Sequence, residues 1–122
     1  MIKKILFWIL STPFLLVTSI RNFLYNIGVI KSHQFNIPII SIGNLDLGGS
    51  GKTPSIEYLV RLLSNNYKVA VLSRGYGRKS TGFILADYNS DAGTIGDESM
   101  QYYKKFKNII ISVDSSRVRG IN

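Results

Sequence analysis

Apolar residues in this chain recur with two different periods. Leu16, Val17, Ile20, Phe23, Leu24 and Ile27 fall three and four residues apart, which is the stripe of an amphipathic helix. Ser11 or Thr12 can cap that helix, Pro13 suits its first position, and Gly28 is placed to end it. Ile37–Ile42, Lys68–Ser73 and Asn108–Val113 are short, nearly continuous apolar runs, the mark of strands buried in a parallel sheet. Ile56, Leu59, Val60 and Leu63 share one face of a helix predicted over Lys52–Leu63, which Asn65 and Asn66 close. A further helix is expected over Asp97–Phe106, with Asp97 and Glu98 in the first turn, where acids favour the helix dipole. Gly82–Ala86 reads as a short extra strand and Asp87–Gly96 as a loop. Asp114-Ser115-Ser116 reads as the cap of a helix that barely begins before Asn122.

The order strand, helix, strand over residues 37–73 is the spacing of a right-handed βαβ unit. Between its first strand and its helix lies Gly48-Gly49-Ser50-Gly51-Lys52-Thr53. Backbone N–H groups in such a loop point at phosphate oxygens, and the next helix adds its positive end. In this pattern Lys52 reaches the β- and γ-phosphates and the Thr53 hydroxyl ligates Mg²⁺. The usual first glycine, six residues before the lysine, is Asp46 here. The competing reading is a plain glycine turn with Lys52 as a solvated surface lysine. The fold class expected is α/β: a P-loop NTPase-type parallel sheet with flanking helices, incomplete in this chain, preceded by an N-terminal membrane-associated helix. Residues 1–36 form the apolar N-terminal segment and residues 37–122 the first part of the P-loop domain.

Composition sharpens this picture in three ways. Fifteen Lys and Arg against seven acids give a net charge of +8, which suits an anionic partner such as a nucleotide, a phosphorylated substrate or a phospholipid surface. The absence of cysteine rules out disulfides and thiolate metal sites. The basic residues lack the aromatic interleaving of nucleic-acid modules, so no nucleic-acid partner is expected. Arg74-Gly75-Tyr76-Gly77-Arg78-Lys79 follows the second strand, at the end of a sheet where ligand loops gather. It reads equally as an anion-gripping loop or as an ordinary basic turn. His33 sits in a polar connector and is expected to be solvated. Asp97 after Gly96 is, from position alone, an N-cap.

No charge interrupts Ile5 to Ile20. A helix of that length spans about 24 Å, short of the roughly 30 Å hydrocarbon core, and Pro13 interrupts the run. Lys3-Lys4 before an apolar stretch also has the outline of a signal peptide. The reading preferred here is a helix lying in the membrane surface, with Phe7 and Trp8 at headgroup level and Lys3, Lys4 and Arg21 on anionic lipid. A core helix covering the sheet is the plainer alternative.

Arg21–Gly28, Ile39–Leu45, Gly48–Pro54, Ser73–Gly77 and Gly96–Glu98 together resemble the tetraacyldisaccharide 4'-kinase (lipid A 4'-kinase) family, in order and spacing. The missing first glycine is itself usual in that family, so Asp46 does not count against the resemblance. The resemblance implies transfer of the γ-phosphate of ATP to the 4'-hydroxyl of a lipid-linked glucosamine disaccharide, with Mg²⁺, at the cytoplasmic face of the bacterial inner membrane. It implies that Asp46, Leu47, Gly48, Gly49, Ser50, Gly51, Lys52 and Thr53 hold ATP, that Asp97 helps deprotonate the sugar hydroxyl, and that Arg74 lies near the phosphates. The family continues well beyond this point, to an aspartate pair on a later strand and a histidine partner for the catalytic aspartate. The chain is therefore expected to be a truncated N-terminal part, inactive on lipid by itself. Its incomplete sheet would expose an edge. Rival readings are a membrane-associated partitioning-type ATPase, whose extra lysine is replaced here by Leu47, a GTPase switch, and a non-catalytic membrane interaction module.

Overall fold

The computed structural model describes the backbone of residues 2–43 and 51–122 and the side chains of residues 11–43 and 51–122. The chain divides into two compact units, Met1–Pro38 and Ile39–Asn122.

The first unit is built on one helix, α1 (Ile2–Asn26), with Pro13 inside it. The expected start at Pro13, capped by Ser11 or Thr12, is thus wrong by eleven residues. Nothing between Ile2 and Leu10 breaks a helix, and an internal proline removes one rung of a long ladder at a cost of about 3 kcal/mol. The end came where expected, the last turn closing through Ile27 N–H to the Phe23 carbonyl and Gly28 N–H to the Tyr25 carbonyl. Phe14, Leu16, Val17 and Phe23 are each at least 60% exposed. The Thr18 hydroxyl donates back to the Phe14 and Leu15 carbonyls, which hides a polar group on an otherwise apolar surface. Among the described residues no helix is long and apolar enough to cross a membrane.

The second unit is α/β. Its elements are α2 (Lys52–Leu63), β1 (Val69–Ser73), β2 (Ile84–Leu85), α3 (Ala92–Ile95), α4 (Asp97–Lys105), β3 (Ile109–Val113) and α5 (Arg117–Ile121). The sheet order is β1-β3-β2. β1 and β3 run parallel from Val69↔Ile109 to Ser73↔Val113, and β2 joins the far edge of β3 antiparallel. The sheet is therefore mixed rather than purely parallel, as when an edge strand folds back onto a parallel pair.

The expected strand Ile37–Ile42 does not form. A strand exists only as part of a ladder, and Ile37–Ile42 pairs with none of β1, β2 and β3. Ile39 and Ile40 are left 51% and 61% exposed. The loop expected over 87–96 contains a short helix instead. Asp91 caps α3 by accepting from Thr94 N–H at 2.8 Å, while Thr94 Oγ1 accepts from Asp91 N–H at 2.8 Å. Asp97 is not an N-cap, because Gly96 holds that position and Asp97 is the first helical residue of α4.

The core is small: Val60 of α2, Ile95 of α3, Tyr102 of α4, and Ile111 and Val113 of β3. Val60 lies on the predicted face of α2, with Ile56, Leu59 and Leu63 half-buried beside it. Beyond β3, the buried carboxylate of Asp114 accepts two bonds from Arg119, at 2.7 and 2.8 Å, and one from Ser116 N–H at 2.8 Å.

The Arg119 fork holds the Asp114 carboxyl down at about 2, against an ordinary 3.8. A folded-state value below the unfolded one means that the pair stabilises the fold above about pH 4, and that this contribution is lost as pH falls from about 4 towards 2. Asp114→Asn should flatten the loss of urea stability over that interval. Urea midpoints measured from pH 7 to pH 2 check this, and parallel curves for both proteins would refute it.

Candidate functional site

α2 begins at a sharp turn. Gly51 sits at its N-cap with φ 73°, in the left-handed region, and accepts at its carbonyl from both Ser55 N–H (3.1 Å) and Ser55 Oγ (2.9 Å). Lys52, Thr53 and Pro54 make up the first turn. Pro54 is tolerated there because first-turn N–H groups have no helical partner. Of the residues expected to hold ATP, Gly51, Lys52 and Thr53 are at this helix start. Asp46, Leu47, Gly48, Gly49 and Ser50 lie outside the described residues.

One stripe of α2, spaced by four residues, faces α4. Thr53 Oγ1 donates to Glu98 Oε1 at 2.7 Å. Glu57 pairs with Lys105. The Arg61 guanidinium lies 5.5 Å from the centre of the Phe106 ring. Each rung is modest, since partly exposed ion pairs and cation–π contacts contribute about 0.5–1 kcal/mol, but together they fix the register of the two helices. Glu98 Oε1 also accepts from the phenol of Tyr102 at 2.7 Å. Burial pushes the Tyr102 hydroxyl far up, and the Glu98 hydrogen bond adds to this, so the phenol stays protonated and donating.

Asp97 points elsewhere. It is exposed and lines an open concavity of about 480 Å³ with Ala92, Met100, Gln101, Lys104 and Lys105. The first turn of α4 thus sends Glu98 toward α2 and Asp97 to a separate, basic-rimmed surface. Glu98 went unassigned in the sequence. Its signal in the sequence is the i, i+4 pair Glu98–Tyr102.

The basic loop after β1 divides its cations. Arg78 is half-buried, its Nη2 donating to the Gly82 carbonyl at 2.9 Å, so it is a structural brace. Arg74 and Lys79 are exposed. The loop is held against α3 and α4: Lys79 N–H bonds the Gly93 carbonyl, Ser80 bonds the Thr94 carbonyl, and Ser73 Oγ lies 2.6 Å from Ser99 Oγ while accepting from Gly75 N–H. His33 is exposed, as expected.

Fold and site together define an α/β protein whose polar residues gather where β1 ends and where α2 and α4 begin. Residues 3–122 match the model of the tetraacyldisaccharide-1-P 4'-kinase (LpxK) family, and the chain belongs to that family. The tetraacyldisaccharide 4'-kinase of Flavobacterium johnsoniae is 54% identical over 125 residues, covering 99% of this chain and 35% of that protein. Its counterpart from Flavobacterium psychrophilum is 61% identical over 105 residues, covering 86% and 31%. The crystal structure of LpxK from Aquifex aeolicus in complex with ATP matches with a TM-score of 0.73 at 36% identity, over 85% of this chain and 34% of that one. The chain thus spans about a third of the length of the relatives it matches.

Gly96 has φ 84° and ψ 156°, and a Cβ there would lie 2.7 Å from the Tyr76 carbonyl oxygen. That backbone region is open only to glycine and costs other residues roughly 1–3 kcal/mol. Gly96→Ala should therefore lower stability by at least about that much, because the clash is with backbone. Urea unfolding of both proteins measures it, and a change below about 0.5 kcal/mol, the ordinary range for surface sites, would refute the close contact.

Proposed function

We propose that this chain is the nucleotide-binding part of a P-loop kinase that transfers the γ-phosphate of ATP to the 4'-hydroxyl of a tetraacyldisaccharide 1-phosphate. Family membership supports the reaction class. The observation that carries the reading onto this chain is the start of α2, where Gly51, Lys52 and Thr53 follow a glycine-rich run and the helix presents its positive end.

In this reading the loop from Asp46 to Thr53 wraps the triphosphate, and Lys52 sets its charge against the β- and γ-phosphates. The site suits Mg²⁺ by its donor chemistry: a hydroxyl oxygen, Thr53 Oγ1, beside a carboxylate, oxygen donors of the kind that ion prefers, with phosphates and water as its other ligands. Thr53 would hold the ion, which when bound would offset charge that develops on the phosphates. Asp97 takes the proton from the acceptor hydroxyl, on the side of α4 lined by Lys104 and Lys105. Arg74, exposed at the end of β1, lies where it can meet phosphate. Such transfer is mostly positioning and electrostatics.

The apolar surface of α1 supports placement on the cytoplasmic face of the inner membrane. A helix with its aromatic and aliphatic side chains exposed and a basic residue at Arg21 suits the interface plane rather than a span. The substrate is then presented from the same surface that the helix rests on.

Two measurements test these parts separately. Lys52→Ala should weaken binding of Mg²⁺-ATP by at least about tenfold, the scale of one lost charge-assisted bond. Isothermal titration of the chain reads this, and unchanged affinity would sink the nucleotide reading. For α1, the double change Leu16→Glu with Phe23→Glu should reduce flotation with phosphatidylglycerol vesicles by at least about tenfold, since burying each apolar side chain is worth about 1.5–3 kcal/mol. Equal flotation of both proteins would remove the membrane placement.

A further inference from the structure

The contact between Thr53 and Glu98 raises a question that the nucleotide reading leaves open: what fixes the hydroxyl of Thr53? A threonine hydroxyl carries one hydrogen and two lone pairs, and its hydrogen is free to rotate. Here that hydrogen is committed to Glu98 Oε1 at 2.7 Å, which leaves the lone pairs of the oxygen turned away from the carboxylate. Glu98 is exposed, and an exposed glutamate loses on the order of 1.5–2 kcal/mol of rotamer freedom when it is held still. Something must hold it. Tyr102, one turn further along α4, does so by donating to the same Oε1 at 2.7 Å. Its ring is fully buried, 0% exposed, in the small core beside Ile111 and Val113. The phenol oxygen is therefore a fixed point, set by packing and not by solvent.

We infer that Tyr102 and Glu98 are positioning residues for Thr53, a relay from the core to the helix start that orients the hydroxyl for the cation accompanying a triphosphate. The proposal rests on the nucleotide reading for its ligand and on the ligand-free geometry for its mechanism. Partners that orient a metal ligand from behind set affinity by about 10–100-fold, so the relay should govern how strongly Mg²⁺ tightens ATP binding and leave the Mg²⁺-free grip largely alone.

Tyr102→Phe keeps the buried ring and removes only the donor. Two readouts on the chain follow. In the ligand-free protein, three-bond couplings to the Thr53 methyl should report one χ1 rotamer in the unsubstituted chain and averaging in the variant. In titrations with a fluorescent ATP analogue, the ratio of Kd in EDTA to Kd in Mg²⁺ should fall by about tenfold, with Kd in EDTA changed less than about twofold. Glu98→Ala should produce the same loss, and the double variant should lose no more than either single one. A single Thr53 rotamer in both variants, or an unchanged Mg²⁺ ratio, overturns the relay. If the unsubstituted chain binds no ATP, the nucleotide reading fails and the cation role falls with it. The rotamer measurement distinguishes that failure from a failure of the relay itself.

Discussion

The arrangement depends on one close approach of backbone to backbone. Gly96 lies so near the Tyr76 carbonyl and the Gly75 main chain that it has no room for a Cβ. The turn leaving β1 and the turn entering α4 therefore touch directly. That contact brings the first turn of α4 to the carboxyl end of the parallel β1–β3 pair, where the Ser73–Ser99 hydrogen bond holds it. From there Glu98 reaches α2, and Thr53 finds its partner. A side chain at Gly96 would push the two turns apart, and the distances that follow from the contact would be lost.

What joins α2 to α4 is polar on its exposed side and apolar only beneath. Thr53, Glu57 and Arg61 form three rungs of different chemistry to Glu98, Lys105 and Phe106, while Val60 alone on α2 is fully buried. Rungs of this kind add little to stability, about 1 kcal/mol or less each where solvent reaches them. They are directional, however, and a hydrogen bond fixes an angle that a hydrophobic contact leaves open. At the start of a helix a fixed angle sets where the first residues point, which a deeper interface alone would not.

Much of this was legible in the sequence, and the misses have distinct causes. The face Ile56, Leu59, Val60, Leu63 gave α2 its bounds because amphipathic period and flanking turn agreed. β1 and β3 followed from short apolar runs. The start of α1 was misplaced because Pro13 is favoured at a first helical position, and the apolar residues before it were strong enough to continue the helix through it. The run Ile37–Ile42 reads as a strand by composition, but pairing is a property of the neighbours, and no strand of the sheet pairs with it. α3 was hidden in a turn-rich stretch because its capping box uses Thr94 where glutamate is the usual signal. Of the site, the helix start with Lys52 and Thr53 could be read from spacing alone. Glu98 was marked locally only by its i, i+4 spacing to Tyr102, because its contact with Thr53 spans 45 positions in the chain.

The two acids that open α4 show how one helix start can serve two surfaces. Successive residues on an α-helix point about 100° apart. Asp97 and Glu98 are adjacent, so a single turn sends one carboxylate to the concavity edged by Lys104 and the other to the helix start of α2. Both sit in the first turn, where the dipole favours their charge. The two carboxylates thereby face different neighbours. If they lay on one face, like charges at close range would raise the affinity of one for a proton at the expense of the other. Splitting them across the helix gives each carboxylate its own neighbours, Lys104 beside Asp97 and Thr53 with Tyr102 at Glu98.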